Sequence, residues 1–240
     1  MDENNEKAFL RCLSNLVNLK SLDILGSVGN LDYGYENLCP GPQQLRSINV
    51  KTYEAIGAVP RWLTSLCFLS SLDIKIQNLG EKNLQVLGSI PALSNLCVRV
   101  TESTQDEDER LVVNSRYPFL CLRRLEINWE VGTMELCFAP GALQNLGVLD
   151  LEFVVRERDS NFGLQHLSSL EHVYAKLRCG ETSFKIAAVE IQTALDMNRN
   201  KPTLTLVRSD PIRVALTVQQ SALMFVGAVM GKIKSTSPLP

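Results

Sequence analysis

Two histidines, seven cysteines and one glycine-rich stretch are where reaction chemistry would have to begin in this 240-residue chain. His166 and His172 stand six residues apart, which fits no H-x-x-x-H zinc spacing. The cysteines, at 12, 39, 67, 97, 121, 137 and 179, contain no C-x-x-C pair, so neither a zinc ribbon nor a dithiol redox motif is encoded. Gly227-Ala228-Val229-Met230-Gly231-Lys232-Ile233 approaches a phosphate loop. It has one residue too few between its glycines, and Ile233 stands where a magnesium-binding hydroxyl belongs. No G-x-S-x-G nucleophile elbow occurs. These residues predict a protein that is not an enzyme and uses no cofactor and no metal.

Charged and polar side chains set between aliphatic ones are what remains. Their spacing is set by a repeat. Residues 16–24 read LVNLKSLDI, 66–74 LCFLSSLDI, 90–98 IPALSNLCV, 143–151 LQNLGVLDL and 167–175 LSSLEHVYA. Shorter copies are LRSINV at 45–50 and LRRLEI at 122–127. The third apolar position falls at 22, 48, 72, 96, 125, 149 and 173, at intervals of 26, 24, 24, 29, 24 and 24 residues. L-x-x-L-x-x-L-x-L at this period is the pattern of a leucine-rich repeat. Its L-x-L part alternates as a short strand must. Its L-x-x-L part suits a helical or tight-turn arm. No unit buries its leucines alone, so the units stack and pair their strands in parallel.

The expected fold is therefore α/β: a leucine-rich-repeat solenoid, or horseshoe, with a short-stranded parallel sheet on its concave face. Residues 1–9 form a polar lead, 10–182 about seven repeats, 183–207 a C-terminal cap of helix and strand, and 208–240 an extra tail. The cap helix is expected over Ser183–Arg199 and the strand over Thr203–Val207. The first repeat shows no comparable cap, which predicts that upstream sequence or a partner covers that end. The two longer intervals hold exposed loops, one rich in Gly and Tyr at 26–35, the other carrying five acids among residues 102–109.

Alternation places fourteen candidate binding residues on the concave face: Asp23, Asn49, Lys51, Asp73, Lys75, Arg99, Arg124, Glu126, Asn128, Asp150, Glu152, His172, Tyr174 and Lys176. Asp23, Asp73, Glu126 and Asp150 share one column, and Lys51, Lys75, Arg99 and Lys176 the next. Such columns either pair internally or meet a protein ligand of complementary charge. A net charge of −2, from 24 basic and 26 acidic residues, argues against a nucleic-acid partner.

The odd cysteine count, the absence of an N-x-[ST] sequon and the acidic N-terminus point to the reducing cytoplasm, with the cysteines as small buried hydrophobes. Ile212–Gly231 is apolar, but Arg213, Gln219 and Gln220 interrupt it. Its unbroken part, Ala222–Gly231, is far short of the roughly 20 residues a membrane span needs.

The unit Val59-Pro60-Arg61-Trp62-Leu63, continued by Leu66, Leu69, Leu72 and Ile74, resembles the P-x-W-L repeats of plant nucleotide-binding leucine-rich-repeat disease-resistance proteins. So does His166-Leu167-Ser168-Ser169-Leu170-Glu171-His172-Val173, followed by a helix and Asn200-Lys201-Pro202-Thr203-Leu204, an ending like that of the cereal coiled-coil class. The resemblance covers about residues 9–207 and implies plant defence. The partner would be a pathogen effector, a host guardee or a receptor's nucleotide-binding domain. Those receptors carry coiled-coil and nucleotide-binding domains ahead of the repeats. Neither is in this sequence, so the chain is expected to be the repeat module alone. A substrate-receptor module without its F-box, and a truncated paralogue that does not signal, are the alternative expectations.

Overall fold

The computed structural model describes residues 8–9, 11–13, 15–26, 42–102, 111–133, 136–155 and 162–209. The aliphatic alternation folds into strands β1 (Ser21–Gly26), β2 (Ser47–Thr52), β3 (Ser71–Ile76) and β4 (Asn95–Val100). After the short β5 (Leu111–Val113) come β6 (Arg124–Thr133) and β7 (Leu136–Phe138). Then follow β8 (Val148–Val154), β9 (His172–Arg178) and β10 (Thr203–Ser209).

Eight of these form one parallel sheet in the order β1-β2-β3-β4-β6-β8-β9-β10. The repeat landmarks lie in register: Leu22, Ile48, Leu72, Leu96, Leu125, Leu149 and Val173 follow one another, and Leu204 extends the row. At the start of each strand one carbonyl accepts two N–H groups from the next repeat. Lys20, Arg46, Ser70, Ser94, Arg123 and Gly147 all do this. This spine holds the strands in phase and satisfies backbone groups that stacking would otherwise bury unpaired.

The L-x-x-L arm becomes a run of tight turns. Leu63, Leu66 and Leu69 each donate their N–H to the carbonyl three residues back, and all three side chains are buried. In 3-10 geometry residues three apart eclipse, so this spacing presents all three leucines to one side. Regular 3-10 segments occupy Arg61–Ser65 and Leu164–His166. Longer arms are the helices α1 (Glu81–Gly88) and α2 (Glu181–Asp196). Between sheet and arms runs one continuous core that includes Trp62, Leu72, Leu96, Trp129, Leu149 and Leu177.

Several expectations need correcting. Of the six described cysteines only Cys179 serves as a buried hydrophobe. Cys12, Cys67 and Cys121 are exposed, Cys97 and Cys137 are half-buried, and Cys179 is buried. Most of them fall at turn or concave positions, which the repeat turns outward. Leu16, expected inward, is half-exposed, because β1 ends the sheet and no described strand packs beyond it. The capping helix starts earlier and stops sooner, at Glu181–Asp196, and the last strand runs on to Ser209. A second, two-stranded parallel sheet, β5 with β7, was not expected. The acidic stretch 103–110, most of the Gly/Tyr loop and tail residues 210–240 lie outside the described residues.

Candidate functional site

Period-2 alternation decides which side chains reach the concave surface. In β3 Leu72, Ile74 and Ile76 point into the core while Ser71, Asp73 and Lys75 face the other way; β4, β8 and β9 follow the same rule. All fourteen expected residues lie on this face.

The first column lies in register across the sheet. Asp23 pairs with Asn49, Asn49 with Asp73, Asp73 with Cys97, and the row continues through Glu126 and Asp150 to Tyr174. The basic column is less regular. Lys75, Arg99, Asn128, Glu152 and Lys176 align across β3 to β9. Lys51 does not align with Lys75, because the β2–β3 pairing ends at Asn49 and Asp73. Beyond it Ile56 takes the place beside Ile76. The chain after β2 thus takes the ladder position beyond Asp73 in place of Lys51, with the Ile56 side chain itself buried in the core.

Most of the charges neutralise one another. Arg99 grips Asp73 at 2.7 Å on the adjacent strand, both about a quarter exposed. Lys176 meets Glu152 at 3.0 Å, and the Asn128 amide donates to the same carboxylate at 3.2 Å. Arg124 stands 4.0 Å from Asp150. His172 and Thr203 share a hydrogen bond of 2.6 Å across β9 and β10. Asp23 and Lys51 form no ion pair with any described residue.

Two residues missed in the sequence complete the site. Glu130 pairs through its carboxylate with Lys75 at 3.1 Å, and its carbonyl accepts from the buried Arg178 at 2.8 Å. It thereby ties β3 to β9 across the intervening strands. Both lie two residues beyond chosen positions, Asn128 and Lys176, so extending the same alternation finds them. Burial pulls the Arg178 guanidinium below its ordinary value, with Glu152 and Glu130 opposing.

Between β2 and β6 the surface sinks into an open recess of about 390 Å³, lined by Asn49, Ser71, Asp73, Asn95, Cys97, Arg99, Arg124 and Glu126 among others. Cys97 is among its lining residues. Burial, then the negative charges of Asp73 and Glu126, push its thiol up to about 12, so it is protonated at neutral pH and a poor nucleophile. Burial and Glu126 likewise raise the Asp150 carboxyl, against the opposing Arg124. The recess is thus a fixed polar surface of alternating sign. Among the described residues no cluster of three or more His, Cys, Asp or Glu is placed to hold a metal ion, and no helix is long and apolar enough to cross a membrane.

Comparison with solved structures finds a crystal structure of a TLR13–ssRNA13 complex, 15% identical, with a TM-score of 0.34. The match covers 82% of this chain and 33% of that one, so the chain spans about a third of the length of that protein. A family model of the leucine-rich repeat region matches residues 1–204. Seven in-phase repeats, their registered parallel sheet and this match make the chain a member of the leucine-rich repeat family.

Proposed function

We propose that this chain is a protein-recognition module of the plant intracellular immune-receptor type, working in the cytoplasm through its concave face. The observation that carries the reading is the recess between β2 and β6, where carboxylates, guanidinium groups and amides stand in a fixed array above a rigid sheet. Ordered ion pairs favour selectivity over raw affinity. A partner of wrong charge meets like charges at fixed positions, while a matched partner exchanges existing pairs for new ones. The partner is a protein: a pathogen effector, a host protein under surveillance, or the nucleotide-binding domain of a receptor.

Charge reversal at Asp73, Arg99 and Asp150 tests the site. Purified nucleotide-binding domain and candidate effectors are offered to the wild-type chain and to the variant. Loss of binding with an unchanged melting temperature supports the reading. Unchanged binding, or a wild-type chain that binds neither class, overturns it.

A further inference from the structure

The C-terminal end of the stack carries apolar surface that the repeat architecture would normally cover. β10 is the last strand of the sheet. Leu204 and Leu206 continue the core rows of Val173 and Ala175, yet both are only partly buried. Beside them α2 buries Ala187, Ile191, Ala194 and Leu195. Its opposite side bears Ile186, Val189 and, just past its end, Met197, which are 57%, 67% and 69% exposed. At spacings of three and eight residues these three lie within one stripe of the helical path.

We infer that this end is a docking surface for the chain's own residues 212–230. β10 ends at Ser209, on the free edge of the sheet, and Asp210-Pro211 follows in the sequence, where proline cannot donate to a ladder. The following residues Ile212-Arg213-Val214-Ala215-Leu216-Thr217-Val218 place a large aliphatic at every second position, the pattern of a half-buried strand. Laid antiparallel on β10, this strand pairs the open edge and sets its aliphatic side over Leu204 and Leu206. An antiparallel edge strand on a parallel sheet is a common arrangement.

Topology then supplies the second contact. An antiparallel strand runs back from Ser209 towards Thr203, and so delivers Gln219-Gln220 close to Met197, where α2 ends. Ala222–Met230 is apolar throughout, and a helix apolar on every side must be buried. Its nine residues span about 13 Å, against about 16 Å from Met197 back to Ile186. The tail's apolar length and the uncovered stripe match in extent and order.

Hydrogen exchange of the full chain, compared with a chain stopped after Ser209 and with the double variant Val214→Asp, Leu216→Asp, is the test. Amides of 203–209 are expected to exchange at least tenfold faster in both altered chains, while β4 amides keep their protection and report an intact stack. Exchange at 203–209 that is the same in all three chains overturns the inference. So does protection that rises with protein concentration, which would identify a second copy as the cover.

Discussion

Leu149 shows at the level of one side chain what the repeat demands. It is fully buried between Leu125 and Val173, on a strand paired on both sides. Leu149→Ala removes buried aliphatic surface and leaves a void that neighbours on both sides cannot close. The expected loss is about 2–5 kcal/mol, read from urea melts; a loss below about half a kcal/mol would remove Leu149 from the core. Asp150, the next residue, behaves oppositely. Its carboxyl is raised above 3.8 by burial first and by Glu126 second. The folded chain therefore holds that proton more tightly than the unfolded chain, and this group's contribution to stability falls as pH rises above 3.8, through the raised value. Asp150→Asn is expected to raise the melting temperature at pH 7 and to flatten its decline over that interval. A variant that melts lower at neutral pH would show instead that the 4.0 Å approach of Arg124 outweighs desolvation.

Elements were legible where the pattern repeats and illegible where it breaks. The seven landmarks and their register follow from spacing alone, because alternation and the three-residue arm each permit one way of burying leucine; the helix and strand after the last repeat follow from spacing too, though not their bounds. The 24-residue period also placed all fourteen candidate residues on one face. β5 and β7 escaped because three-residue strands carry too little alternation to detect, and they pair with each other on a separate sheet. The outward cysteines are not legible from residue type, because position in the repeat decides which way a side chain faces. Gly163 is another feature hidden from sequence. It takes φ 72°, and a Cβ there would sit 2.1 Å from the carbonyl oxygen of Phe138, whose N–H is bonded to Phe162. Gly141 has φ 81° with open space around it. Both tolerate a side chain poorly for backbone reasons, but only Gly163 adds a collision with β7. Gly163→Ala is expected to cost more than about 1 kcal/mol and clearly more than Gly141→Ala in parallel denaturant melts. Equal costs would mean that β7 moves away freely.

On the scale of the whole molecule the chain is a stack whose strands pair only with neighbouring strands, so rigidity comes from phase along one continuous core. That rigidity lets Glu130 reach Lys75 on one side and Arg178 on the other, and it holds the recess between β2 and β6 in fixed register. The central claim is that this concave array recognises a protein. Its most direct test exchanges Asp73 and Arg99 for one another. The double variant Asp73→Arg, Arg99→Asp keeps an ion pair across β3 and β4 and reverses what a partner meets. Titration calorimetry of both chains against a protein the wild type binds is expected to show affinity weakened at least tenfold, about 1.4 kcal/mol, with an unchanged melting temperature. An unaltered dissociation constant would place recognition elsewhere on the molecule and contradict the account.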